Sequence, residues 1–148
     1  MNEKTYRFYG WETADVSPLT DEYPAIRTPR DMYDALLDCW CAETCAPRMR
    51  GDWSKDNPTL GQCSITSFLV QDLFGGRVYG IPLEEGGVHC FNEAGGRVFD
   101  LASEQFGERT LCYENTPEQC REEHLKDPDK KARYELLKKL FTERAGKR

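Results

Sequence analysis

Between Gly61 and Gly76 the chain carries an apolar helical run, Cys63 to Phe74, fenced by glycine at both ends. No other segment restricts the fold as strongly. Ile65, Phe68, Leu69 and Leu73 recur at helical spacing and predict one inward face. The helix is predicted to begin near Gln62 or Cys63 and to stop at Gly75-Gly76, where glycine accepts a left-handed C-terminal cap. Three short β-like segments follow: Arg77 to Pro82, Gly87 to Phe91 and Arg97 to Leu101. The last two are joined by Asn92-Glu93-Ala94-Gly95-Gly96, a hairpin connection by composition. An apolar helix leading into consecutive hairpins predicts an α+β fold, with a small antiparallel sheet packed by the helix that starts at Cys63.

The flanking segments fit around that unit. Residues 1–27 hold Tyr, Trp, Pro, Asp and Glu without a sustained period and read as an irregular N-terminal arm, with a short strand at Tyr6 to Trp11. Thr28-Pro29-Arg30-Asp31 is a helix start: a capping hydroxyl, proline in the first turn and an acid three residues after the cap. Met32, Leu36, Leu37 and Trp40 then share a face, which extends the helix to about Thr44. Pro47 to Leu60 contains Gly51 and Asn57-Pro58 and reads as a loop, pinned by Trp53. Thr116-Pro117-Glu118-Gln119 has the form of a second capping box, and Asp127-Pro128 opens a last helix with Tyr134, Leu137, Leu140 and Phe141 as its stripe. With no repeat or linker, residues 1–148 read as a single domain with a helical C-terminus.

Composition excludes several function classes. A net charge of −6 argues against a nucleic-acid partner, which needs a basic face. No stretch has the length and apolarity of a membrane span, and Met1 to Tyr6 lacks the apolar core of an export signal. The expected location is the cytoplasm. Seven cysteines without an export signal read as buried thiols, metal ligands or catalytic groups rather than disulfides, with most of them in the core.

The chemistry converges on Cys63. A thiol at a helix start is deprotonated easily, because the helix dipole and the free first-turn N–H groups favour a negative charge. His89, one of only two histidines, and Asp100 both lie in the β segments downstream. If Ala94-Gly95 is the centre of the hairpin, Glu93 pairs with Gly96, Phe91 with Val98 and His89 with Asp100. Opposite residues share a face, whereas a slip of one residue would move Asp100 to the other side. In this reading Cys63 is the nucleophile and His89 the general base and acid. Asp100 orients the imidazole. The Cys63 backbone N–H and the Gln62 side-chain amide meet the oxyanion, one such donor being worth about 3 kcal/mol. Asn92 and Gln105 are supporting polar groups. The order Cys, His, Asp is that of papain-like and transglutaminase-like thiol enzymes, and predicts a cofactor-independent hydrolase, deamidase or acyltransferase acting on a peptide or a small amide or ester.

Two other readings compete. In a non-catalytic binding or regulatory module, Cys63 would be a core thiol like Cys90 or Cys112, His89 an ordinary strand residue, and Asp100 a turn cap ahead of Ser103. In a metal or redox protein, Cys39, Cys41 and Cys45 would supply ligands, although C-x-C-x3-C matches no common zinc spacing; no metal site is predicted. His124 follows Arg121-Glu122-Glu123 and reads as solvated surface, as does the basic set Lys138, Lys139, Arg144, Lys147 and Arg148.

A family resemblance rests on Glu43-Thr44-Cys45, Trp53, Asn57-Pro58-Thr59-Leu60-Gly61-Gln62-Cys63, Val70-Gln71-Asp72 and Phe74-Gly75-Gly76. Gly87-Val88-His89, Asn92, Asp100-Leu101, Gln105-Phe106 and Arg133-Tyr134-Glu135-Leu136-Leu137 continue it. These motifs resemble the YunG-like family of small, mostly bacterial proteins of uncharacterised function. The resemblance supplies no activity. It implies that Cys45 lines the same cleft as Cys63. Where the family has His-Tyr-Trp-Asn, this chain has His89-Cys90-Phe91-Asn92, which places a second thiol beside the site.

Overall fold

Thr28 begins the first regular element. Its hydroxyl accepts the Arg30 N–H at 3.3 Å, and Asp31 reaches back to the Arg27 N–H at 2.9 Å. In the computed structural model, which describes residues 5–146, this helix α1 spans Pro29–Leu37. It ends well before Thr44. The Asp38 and Cys39 N–H groups turn to the carbonyls of Ala35 and Leu36, tightening the last turn, and Cys41 and Thr44 then cap a separate short 3-10 turn, Ala42–Thr44. Trp40 is buried all the same, donating its indole N–H to Thr66 at 2.9 Å, whereas Leu37 faces solvent.

Helix α2 spans Cys63–Phe74 and buries the expected Ile65, Phe68, Leu69 and Leu73. Gly75 and Gly76 both adopt positive φ, 77° and 74°, although Gly75 lies outside the left-handed helical region. At Gly76 a Cβ would sit 2.0 Å from the Glu93 carbonyl oxygen, so only glycine lets the chain pass β2 at this point. Strands β1 (Arg77–Pro82), β2 (Val88–Ala94) and β3 (Arg97–Phe99) follow, forming an antiparallel sheet in the order β1-β2-β3.

The β2–β3 connection differs from the predicted one. The turn is Gly95-Gly96, with φ of 58° and 77°, the positive values that a type I′ hairpin turn requires at both central positions. Glu93 therefore pairs with Val98 and Asn92 with Phe99, two residues away from the predicted register. Because side chains alternate with period two, this shift keeps Asp100 on the same face as His89.

Both sheet edges are covered. The segment predicted to cap a helix at Thr116 runs extended beside β1 instead, with Gln119 N–H to Val78 O at 2.7 Å and Gly80 N–H to Pro117 O at 2.9 Å. Only then does a short helix α3 (Arg121–His124) form. At the other edge, the strand expected at Tyr6 to Trp11 reduces to one antiparallel bridge, Tyr9 with Asp100, made as Gly10 passes so close to β3 that a Cβ would lie 2.1 Å from the Val98 carbonyl oxygen. The arm is nonetheless part of the core, since Phe8 and Ala14 are fully buried.

Helix α4 spans Pro128–Ala145, capped by Asp127, whose carboxylate accepts the Asp129 N–H at 3.0 Å. Tyr134, Leu137 and Phe141 are buried against α2 and α1, while Lys138, Lys139 and Arg144 are exposed; Lys147 and Arg148 lie outside the described residues. The Pro47 to Leu60 loop contains a 3-10 segment, Pro47–Asp52, and half-buried Trp53 ties it by donating to the Pro58 carbonyl at 2.9 Å. Three cysteines are buried, Cys39, Cys45 and Cys90; Cys112, predicted as core, is exposed, as is Cys120. No helix among the described residues is long and apolar enough to cross a membrane.

Candidate active site

Cys63 is the first residue of α2, so its own N–H and that of Ser64 have no carbonyl one turn earlier to bind. The approach to it is shaped by Gly61, at φ 70°, where a Cβ would lie 2.5 Å from the Cys45 sulfur and 2.9 Å from the Ala46 nitrogen. This close passage, locked by Ala46 N–H to Gly61 O at 3.0 Å, turns the loop sharply into the helix. Cys45 is thus packed beneath the turn. It is fully buried, burial pushes its thiol pKa up, and it is not among the residues that line the cleft.

β2 packs on α2 and brings His89 to Cys63; the Cys63 sulfur lies 3.9 Å from the Val88 carbonyl oxygen. His89 is fully buried, with Nε2 2.6 Å from Asp100 Oδ2 and Nδ1 without a hydrogen-bond partner among the described residues. Phe106 fixes the ring edge-to-face, centroids 4.6 Å apart. Asp100 is both a turn cap and the imidazole's partner: Oδ1 accepts the Ala102 N–H at 3.1 Å, while Oδ2 accepts from His89 and from the Tyr113 hydroxyl at 2.8 Å. Burial, with Asp100 alongside, keeps the Tyr113 phenol protonated. Tyr113 in turn stacks on Tyr9, centroids 3.8 Å apart, and the Tyr9 carbonyl accepts the Asp100 N–H at 2.9 Å.

The electrostatics of the pair run in opposite directions. The Cys90 thiol beside Cys63 pulls the Cys63 pKa well below its ordinary value; burial opposes this, and His89 adds to the lowering. Burial alone would push His89 down, but the Asp100 carboxylate, with Cys63 on the other side, outweighs it and holds the imidazolium up to about 10. The Cys90 thiol rises well above its usual value, through its contact with Cys63 and through burial.

Cys63 and His89 border a cavity of about 800 Å³ whose walls include Met49, Leu60, Val88 and Phe106. This size suits a small ligand or a peptide side chain. Gln105 lines it too, accepting the Gly61 N–H at 3.3 Å. Three other predicted residues stand apart. The Gln62 amide donates to the Cys41 carbonyl at 3.1 Å and is fully buried, so it is turned away from the cleft. Asn92 donates to the Ser67 carbonyl at 2.9 Å and ties β2 to α2. Trp53 holds its loop without lining the cavity.

His124, read from its charged neighbours as solvated, is half-buried and lines the cavity with Lys130. Tyr113 carried no sequence signal, since its partner is remote in the chain. Cys39, expected as a ligand in the metal reading, donates to the Ala35 carbonyl at 3.3 Å, and burial pushes its pKa up to about 11. Among the described residues no three His, Cys, Asp or Glu side chains are grouped as a metal site would need.

Comparison with known proteins bears on kinship. The model of the family described as YunG protein matches residues 28–146. A curated relative, "Uncharacterized protein YunG" of Bacillus subtilis (strain 168), is 33% identical over 90 residues, covering 61% of this chain and 75% of the relative. No solved structure matches. With most of its length matched by the family model, the chain belongs to the YunG protein family.

Proposed function

We propose that this protein is a thiol-dependent acyl-transfer enzyme acting on an amide or ester through Cys63, His89 and Asp100, in an arrangement similar to those of papain-like and transglutaminase-like enzymes. One observation carries the reading. A buried histidine bonds a carboxylate through Nε2 at 2.6 Å, and its Nδ1, without another hydrogen-bond partner among the described residues, is left to the thiol of the helix-initiating cysteine beside it. A core histidine placed for stability alone would have both nitrogens satisfied.

The Cys63 thiolate attacks the carbonyl carbon, forming the C–S bond, and the charge on the carbonyl oxygen is met by first-turn N–H groups of α2. His89 gives its Nδ1 proton to the departing amine or alcohol, leaving a thioester on Cys63. The neutral imidazole then takes a proton from water or another nucleophile, which attacks the thioester and releases Cys63. Asp100 keeps the ring in one orientation throughout and stabilises its charged form.

The test is the rate of Cys63 alkylation by iodoacetamide against pH, read by peptide mass spectrometry. Labelling should already be fast at neutral pH and fall only as pH drops through the depressed thiol pKa. His89→Ala should move that midpoint up, part of the way toward the free-thiol value of about 8.5, because Cys90 still lowers it. Labelling no faster than that of exposed Cys112, and unchanged in the variant, would sink the proposal and favour a non-catalytic module.

A further inference from the structure

We infer that the cavity beside Cys63 takes substrates bearing a free carboxylate, with Lys130 as the specificity-determining residue that binds it. This rests on the acyl-transfer reading above and names the substrate class for the same site. Four cations and three carboxylates line the cavity, a local excess of positive charge on a chain whose net charge is −6. Most of these charges are committed within the fold. Arg109 binds Glu85 through both nitrogens, at 2.8 and 3.2 Å, and Arg133 binds Asp129 at 2.8 Å. Asp127 caps α4.

Lys130 and Arg48 remain: neither forms an ion pair with a carboxylate among the described residues, although the Arg48 charge acts on Glu85 at longer range. Arg48 is exposed at the rim, 3.5 Å from where a Cβ on Gly87 would stand, just ahead of β2 and His89. Lys130 is half-buried, its ammonium 2.9 Å from His124 Nδ1. An ammonium can only donate, so Nδ1 is the acceptor and His124 Nε2 carries the proton, which it donates to Gln119 Oε1 at 2.9 Å. Burial first, and the Lys130 charge second, keep this histidine neutral.

A neutral relay therefore positions Lys130 without cancelling its charge. Two of its N–H bonds and its whole charge are left for a ligand. A half-buried cation without a counter-charge is costly unless something anionic joins it. A substrate carboxylate meets that need, and Arg48, which also lines the cavity, offers a second donor set matched to its two oxygens.

The experiment labels Cys63 with 3-maleimidopropionate and with N-ethylmaleimide, the same electrophile with and without a carboxylate. The readout is the ratio of the two rates at Cys63 divided by the ratio at exposed Cys112 in the same molecule. A value of about tenfold or more is expected, the scale of one partly buried charge-assisted hydrogen bond. Lys130→Gln should remove most of this preference, Lys130→Arg should keep it, and raising the salt should reduce it. A ratio of one in the unmodified protein, or a preference untouched by Lys130→Gln, would overturn the inference. If both reagents label Cys63 no faster than Cys112, the acyl-transfer reading has failed instead.

Discussion

Asp100→Asn should reduce the proposed acyl transfer at Cys63 by about 10³- to 10⁴-fold, the scale seen when a triad acid loses its charge but keeps its shape. Asparagine can still accept the Ala102 N–H through its one oxygen, while its amide N–H, standing where Oδ2 was, can donate to the Tyr113 hydroxyl, so the turn and the brace survive. What goes is the negative charge 2.6 Å from His89 Nε2. The Asp100 carboxylate is the chief force raising His89 against burial, up to about 10. Without it, burial pushes the imidazole toward neutrality, and the Cys63 thiolate loses its counter-ion. The thiolate–imidazolium pair exists only between the depressed pKa of Cys63 and the raised pKa of His89, so the window of reactivity narrows from its alkaline end. The alkylation profile of Cys63 and burst release from a nitrophenyl ester would both report it. Tyr113→Phe removes one hydrogen bond to the same oxygen and no charge, and should cost far less. Equal losses in the two variants would mean that Asp100 serves as a structural turn cap only.

Phe141→Ala should cost about 3–5 kcal/mol, a large share of the stability of a domain this size. The ring is fully buried on α4, 5.0 Å centroid to centroid from Tyr23, whose hydroxyl lies 3.1 Å from Thr142 on the same helix. Removing it leaves a cavity at the junction of the N-terminal arm and α4. Urea unfolding should show a lower midpoint at an unchanged slope. Arg144→Ala is the comparison. Its ion pair to Asp38 at 2.7 Å is more than half exposed on both sides, so the change should stay within about 1 kcal/mol. A loss below about 1 kcal/mol for Phe141→Ala would mean that α4 docks only loosely. That would leave Lys130 and Arg133, both in its first two turns, without a fixed place at the cavity.

What could be read from the residues was local. Thr28, Asp127 and Gly75-Gly76 mark helix ends by chemistry confined to a few neighbours, and each does so in the structure. The apolar face of α2 was equally plain, because spacing alone encodes it. The hairpin register was two residues off, since composition could not separate Ala94-Gly95 from Gly95-Gly96 as its centre; alternation still kept His89 and Asp100 on one face. The errors are long-range. Gln119 gives its N–H to β1 instead of starting a helix, a choice no nearby residue reveals. The Gln62 amide bonds Cys41, and His124 is drawn from its charged neighbours to the cavity wall by Phe68, 5.1 Å away, and Lys130.

The N-terminal arm changes how this molecule can be divided. Kinship is drawn from residue 28 onward, yet the backbone of Asp100 is held by Tyr9, and Tyr9 is itself anchored by donating its N–H to the Ser103 hydroxyl at 2.9 Å. The same tyrosine stacks on Tyr113, the second donor to that carboxylate. A fragment trimmed to the shared region would keep Cys63, His89 and Asp100 in sequence, but it would leave the acid at the end of an unclasped strand. The region matched by the family model and the region that holds Asp100 in place thus have different borders in this chain.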